Sequence, residues 1–299
     1  MTKPFVKWVG GKTQLLPEIR KKYPQKIEKY CEPFLGGGAV LLDVLQNFCP
    51  KEVLVNDINK DLINTYIQIK TNIEPLIAQL QKLKLLYQNT SENERKDFYL
   101  QKRTRFNQLI LQNAELQTET EKIEKASLFI FLNKTCFNGL YRVNSKGEFN
   151  VPFNNAKNPP ICDEENLREC NKLFQNITFL TGDYTQCKNF IDEKTFVYID
   201  PPYRPLTESS SFTSYSKNGF TDKDQIELGT FITEIAQKGA KVVASNSDPK
   251  NVDEKDNFFD ELYSKFEVNR ISASRLINSD AKKRGAINEL LITNVAANF

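Results

Sequence analysis

Short apolar runs closed by turn-forming residues mark both ends of this chain, and a long stretch of helical period separates them. Near the amino end, Tyr30-Cys31-Glu32 runs through Pro33-Phe34-Leu35 into Gly36-Gly37-Gly38, then into the apolar helical pattern that starts at Ala39. That order predicts a strand, a glycine turn and a helix amino terminus. A helix over 14–22 is predicted before it, a strand at Val53-Leu54-Val55 after it, and a helix over 58–69 next. Residues from about 60 to 130 keep a helical pattern rich in Gln, Lys and Leu and break the alternation of strand and helix. Strand patterns resume at 177–180, at Thr195–Ile199, at 241–246, at 266–271 and at 289–294, with a helix over 224–237. The fold class expected is α/β: a doubly wound, mostly parallel sheet formed by residues 1–66 and 162–299. An inserted, mainly helical domain over 67–161 interrupts it. Within the insert, Asn138-Gly139 and Lys146-Gly147 are turn signals that predict a β-hairpin or long loop over 131–153.

Composition narrows the chemistry. The chain has no histidine, so imidazole bases and most transition-metal sites are excluded and no metal is expected. Its six cysteines form no C-x-x-C pair, which argues for free thiols in a reducing compartment. No apolar run is long enough to span a membrane and the start lacks a signal-peptide core, so a cytoplasmic location is expected. Net charge is only +3. Within 131–158, however, Lys134, Arg142, Lys146 and Lys157 stand against Glu148 alone, among seven asparagines. Cations beside forked amides suit base edges and phosphates; a solvated Asn-rich loop has the same composition.

Candidate chemistry sits where strands end. Asp200-Pro201-Pro202-Tyr203 follows the run Thr195–Ile199. Two prolines must stop that strand, because neither donates a ladder hydrogen bond. A carboxylate, a free carbonyl and an aromatic ring are thereby fixed at the carboxyl edge of a sheet, where ligands bind in open α/β folds. Such a group suits a planar ring bearing an amino group; a plain strand-ending turn is the competing reading. Asp57 lies about 20 residues past the glycines, where an acid accepts ribose hydroxyls; it is equally placed to cap the following helix. Gly11-Lys12-Thr13 is no phosphate loop, since the glycine required five residues earlier is Val6. The Ser/Thr-rich tract 207–220, with Phe212 and Tyr215, is expected to be a mobile loop beside the site or a passive linker.

Together these motifs resemble the Dam family of adenine methyltransferases, which includes members paired with restriction enzymes cutting at GATC. The resemblance rests on Phe5-Val6-Lys7-Trp8-Val9-Gly10-Gly11-Lys12, Glu32-Pro33-Phe34-Leu35-Gly36-Gly37-Gly38, Asn56-Asp57, Asn138-Gly139-Leu140-Tyr141-Arg142-Val143-Asn144, Gly147-Glu148-Phe149-Asn150-Val151-Pro152 and Asp200-Pro201-Pro202-Tyr203. It covers nearly the whole chain. Val9 departs from the usual Ala or Thr, and Asn154-Asn155 from a common Gly-Arg. The resemblance implies a methyltransferase fold that uses S-adenosylmethionine and methylates N6 of an adenine flipped out of double-stranded DNA, in GATC. It implies that Asp200, Pro201, Pro202 and Tyr203 are catalytic. Trp8, Gly10, Lys12, Pro33, Phe34, Gly36, Gly38, Asp57, Asp183 and Asp200 would hold the cofactor, with Lys12 near its methionine carboxylate, Asp57 on the ribose and Asp183 on the adenine amino group. Lys7, Asn138, Leu140, Arg142, Asn144, Asn150 and Pro152 would contact DNA; Arg142 is suited to grip guanine O6 and N7, or else a phosphate. A monomer is expected; the resemblance allows a cognate restriction endonuclease encoded alongside, which need not be bound, and the sequence does not decide whether one exists. The alternatives are cytosine-N4 methylation and a catalytically inactive DNA-binding regulator. Cytosine carbon-5 chemistry needs a Pro-Cys nucleophile, and only Cys49-Pro50, the reverse order, occurs.

Overall fold

A computed structural model describes residues 1–112, 114–204, 220–274 and 286–295. The tract 207–219, with Phe212 and Tyr215, therefore lies outside the described residues. Among the described residues seven strands form one sheet: β1 Lys29–Glu32, β2 Glu52–Asp57, β3 Ile177–Thr181, β4 Thr195–Ile199, β5 Lys241–Ser247, β6 Glu267–Ser274 and β7 Ala286–Thr293. Their order is β3-β2-β1-β4-β5-β7-β6. β1 pairs in parallel with β2 (Tyr30 opposite Val53) and with β4 (Tyr30 opposite Phe196), and β4 pairs in parallel with β5 (Val197 opposite Val242). β7 runs antiparallel to both β5 and β6. The fold is thus the mostly parallel α/β sheet expected. Every residue of β4 is buried, which explains why its sequence shows no polar face: a parallel strand covered on both sides reads as an unbroken apolar run.

Contacts group the chain into two compact units. The second contains Lys12–Leu35, Phe48–Val55 and Tyr184–Phe299. It holds β1, β4, β5, β6, β7 and most of β2, with helices α1 Leu16–Arg20, α8 Asp222–Gln237 and α9 Phe258–Leu262. The helix expected over 14–22 is in fact split: a 3-10 turn, Lys12–Gln14, precedes α1. Pro17 sits in the first turn of α1, where no N–H is needed. α8 opens with a reciprocal cap, the Thr221 hydroxyl accepting from Asp224 N while the Asp224 carboxylate accepts from Thr221 N. Because β1 lies between β2 and β4, the winding reverses between β1 and β4, and the carboxyl ends of these two strands flank the switch point where ligands enter such sheets.

The first unit contains Met1–Gly11, Gly36–Asn47 and Asn56–Asp183. Its helices are α2 Ala39–Phe48 (except for its last residue), α3 Lys60–Thr71, α4 Ile73–Asn89, α5 Arg95–Leu111, α6 Glu119–Thr135 and α7 Glu164–Phe174. α6 packs on α3, α4 and α5 and is buried almost all round from Ile123 on, as a central helix must be. α3 starts two residues later than expected because Asn59, not Asp57, is its cap: Asn59 Oδ1 accepts from Asp61 N and Leu62 N. The segment 131–153 turns back on itself as expected, but through two isolated antiparallel bridges, Cys136–Phe153 and Val143–Phe149, rather than a continuous ladder. Side-chain amides take the missing partners' place. Asn107 accepts from Phe149 N and donates to Phe149 O, and Pro152 has no N–H to give.

Candidate active site

In the second unit, Asp200 leaves the buried end of β4 and meets Lys12. Lys12 Nζ lies 2.8 Å from Asp200 Oδ2, with side-chain exposures of only 5% and 22%. The same ammonium stands 4.8 Å from the centre of the Tyr203 ring. Burial raises the Asp200 carboxyl above its ordinary range, Lys12 opposes that rise and Glu289 adds to it. Burial, then the charges of Asp200 and Glu289, push the Tyr203 phenol well up, so it remains a hydroxyl. That hydroxyl donates to Glu289 Oε2 at 2.6 Å. Gln225 Nε2 donates to the Pro202 carbonyl (3.1 Å), Asn246 Nδ2 donates to Gln225 Oε1 (3.0 Å), and Asn246 Oδ1 accepts from Arg204 N (3.3 Å). Both amides are buried. The tetrapeptide is therefore held at its side chain and at its backbone, a supported and rigid geometry. At the end of β1, Pro33 is buried and Phe34 is half-buried, its ring stacked on Tyr184 at 5.3 Å.

In the first unit, a second group surrounds Gly36. Asp57 Oδ2 accepts from Gly36 N (2.8 Å) and Asp57 Oδ1 from Asn59 N (2.9 Å). Burial raises the Asp57 carboxyl, and these two amides partly offset the rise. A Cβ at Gly36, where φ is +49°, would lie 2.9 Å from the Trp8 indole, so only glycine allows this close approach. Gly10 and Gly38 also adopt positive φ, 77° and 69°. Asp183 follows Gly182 at the end of β3, and Gly182 is tied to β2 by its N–H to Asp57 O and its carbonyl to the Asn56 amide.

The first unit also assembles the basic segment. Asn133 on α6 grips the main chain of Lys7 on both sides, accepting from Lys7 N and donating to Lys7 O, each at 2.8 Å. Its amide donates to Gly139 O as well (2.9 Å). Asn138 and Gly139 both adopt left-handed conformations, and a Cβ at Gly139 would lie 2.5 Å from Lys7 Cβ. Lys7 is thus brought beside the Leu140–Arg142 turn. Arg142 is exposed, with Nε donating to Asn150 Oδ1 (2.8 Å), while Asn144 closes the turn by accepting from Lys146 N and Glu148 N. Pro152 is exposed, and its carbonyl accepts from Phe137 N.

A family model described as D12 class N6 adenine-specific DNA methyltransferase matches residues 8–277. The chain belongs to that family. A type II methyltransferase, M.MjaIII, from Methanocaldococcus jannaschii is 45% identical over 298 residues, 98% of this chain and 99% of that one. M1.LlaDCHI from Lactococcus lactis subsp. cremoris is 37% identical over 98% of this chain and 95% of its own length. The DNA adenine methylase of Haemophilus influenzae is 34% identical over 97% of this chain and 92% of its own. The methyltransferase therefore methylates adenine N6 in DNA with S-adenosylmethionine as donor, and cytosine-N4 methylation is set aside. Among the described residues no helix is long and apolar enough to cross a membrane.

Of the residues singled out from sequence, Lys12, Asp200 and Tyr203 converge in one unit, Trp8, Gly36 and Asp57 in the other, and Lys7 comes beside Leu140 and Arg142. Sequence reasoning missed Glu289, Gln225, Asn246 and Asn133. Only Asn133 carried a signal, as one of the asparagines of the basic segment; the rest act across long sequence separations that no local pattern reports.

Proposed function

We propose that Asp200 and the Pro201 carbonyl accept the two amino hydrogens of an extruded adenine while Tyr203 stacks on its ring. The lone pair of that nitrogen is delocalised into the ring. Accepting both hydrogens favours a pyramidal nitrogen whose electrons point at the donor. S-adenosylmethionine supplies the electrophilic sulfonium methyl. As the nitrogen becomes positive, the Asp200 carboxylate stabilises it and then holds the proton it releases. Pro202 keeps the chain from continuing the strand. The observation that carries this reading is the convergence of Asp200, Lys12 and Tyr203 on one spot.

The donor set of the first unit fits the cofactor. Each Asp57 oxygen accepts one backbone N–H and retains a lone pair for a ribose hydroxyl. Asp183 serves the adenine amino group, Trp8, Gly10, Gly36 and Gly38 line the nucleoside, and Pro33 and Phe34 add apolar contact. Lys12, shared with Asp200, serves the methionine carboxylate. Residues 67–161 act as the target-recognition part. There Arg142, with Lys7, reads guanine edges in GATC, and Asn138, Leu140, Asn144, Asn150 and Pro152 contact the duplex. Flipping costs a few kcal/mol, and stacking on Tyr203 returns about 1–3 kcal/mol. The chain acts as a monomer. An endonuclease cutting the same sequence is its genetic companion, as the type II names of two relatives suggest.

Transfer of tritiated methyl to unmethylated DNA by Asp200→Ala tests the mechanism. At least a roughly hundredfold loss with DNA binding retained is expected; substantial residual turnover overturns it. Mapping methylated adenines in DNA from cells that express the protein tests the site, and any motif other than GATC overturns that assignment alone.

A further inference from the structure

Tyr141, the residue before Arg142, is fastened to the helix that follows Asp57. Its hydroxyl donates to Asp61 Oδ2 at 2.8 Å. Asp61 is 3% exposed; its Oδ1 accepts no hydrogen bond and lies 3.4 Å from Lys125 Nζ, itself 3% exposed. Burial lowers the affinity of Lys125 for its proton, and Asp61 opposes that effect. Asp61 is reached from Asp57 by consecutive bonds: Asn59 N donates to Asp57 Oδ1, and Asn59 Oδ1 accepts from Asp61 N. A second route runs through rings. Trp8 stacks on Tyr141, with centroids 6.3 Å apart and planes at 27°, and the same indole closes on Gly36. Both routes from the Gly36–Asp57 group thus end on one tyrosine of the turn that contains Arg142.

We propose that Tyr141 and Asp61 are positioning residues that couple occupancy of the cofactor group to sequence readout by the 140–152 segment. The inference rests on the roles proposed above for Asp57 and for that segment. The Tyr141 hydroxyl bonds a buried carboxylate, so the bond has two distinct arrangements, made and broken, with little between them. A ligand that fixes Asp57 and the Trp8 indole favours the made arrangement and orders the turn. By reciprocity, a correct duplex must tighten the cofactor by the same factor.

The test is binding of S-adenosylhomocysteine, the unreactive product, by calorimetry. It is measured alone, with a duplex carrying the mapped methylation site, and with that duplex changed at one base pair. The wild-type chain is expected to bind the product at least about fivefold more tightly with the correct than with the altered duplex. Tyr141→Phe keeps the ring and loses the hydrogen bond to a charged group; this ratio should fall to within about twofold of unity, while affinity without DNA changes less than about threefold. A double variant, Asp61→Asn with Lys125→Gln, keeps an acceptor oxygen and removes both buried charges; it should retain at least about half of the ratio. An unchanged ratio in Tyr141→Phe overturns the proposal, as does an equal loss with and without DNA, which marks a merely structural role. A wild-type ratio of unity also overturns it. Intact product binding by Asp57→Ala instead refutes the assignment of the cofactor group, and is scored separately.

Discussion

Lys12→Ala isolates the electrostatics of the Asp200 corner. The substitution removes the ammonium 2.8 Å from Asp200 Oδ2 and leaves a carboxylate that is only 22% exposed. Removing one partner of a buried pair typically destabilises by about 3–5 kcal/mol. Asp200 keeps some access to water, and it can take up a proton, so about 3 kcal/mol at neutral pH is the expectation. The pH dependence gives the sharper check. Burial already raises the folded-state value for Asp200 above its ordinary one, Lys12 being the main opposing influence; without Lys12 it rises further. The folded variant then holds a proton that the unfolded chain has released, so stability falls as pH rises from the ordinary carboxylate range to the raised folded value. Below that window the penalty disappears, and above it the penalty is complete. Urea denaturation from about pH 5 to about pH 8 should therefore show the gap between variant and wild type widening with pH. Adding Asp200→Asn should remove most of the widening. A deficit independent of pH, or one whose widening persists unchanged in the double variant, would refute the reasoning.

Arg142→Ala should reduce discrimination between the mapped site and sites altered at one guanine by about 5–150-fold, the equivalent of about 1–3 kcal/mol, with a smaller effect on the best site. Steady-state methylation of a set of duplexes checks this, and an equal loss on every duplex would mark a phosphate contact instead. Gln225→Ala strips the Pro202 carbonyl and the Asn246 amide of their shared partner. A loss of about 2–3 kcal/mol in urea denaturation is expected, with single-turnover methyl transfer falling more than cofactor affinity; a change below about 0.5 kcal/mol would show that these bonds do not support the tetrapeptide. Gly139→Ala places a methyl group against Lys7 at a backbone φ of +65°, and DNA affinity measured by filter binding should fall at least about tenfold while affinity for S-adenosylhomocysteine is kept. Equal loss of both would mean that the turn serves the fold as a whole.

Much of the architecture was legible because its inner strands β1, β4 and β5 are buried nearly throughout. Thr195–Ile199 announces itself as a run of β-branched and aromatic residues with no exposed position, and Val53-Leu54-Val55 by ending in Asn56-Asp57. The glycine turn was legible because close approach to Trp8 admits no side chain. What stayed hidden was relational. An apolar run does not state its direction, so the antiparallel placement of β7 between β5 and β6 could not be read from 266–271 and 289–294. The cap of α3 was misplaced by two residues because Asp57 and Asn59 are both good caps; only the fold shows Asp57 engaged by Gly36 N. The partnership of Lys12 with Asp200 spans most of the chain, as does that of Lys7 with Asn133 across 126 residues. Period and composition are local, and such pairs are set only when the elements pack.

The Asn133 clamp has a consequence for how target preference can change. It holds residue 7 solely through main-chain atoms, so those bonds do not depend on which side chain projects there. On the base-reading role proposed for Lys7, exchanging it for another polar residue should thus retune the reading head without dismantling its mount, much as a bit is swapped in a chuck. A library randomised at position 7 alone is accordingly a compact route to variants that mark new sequences.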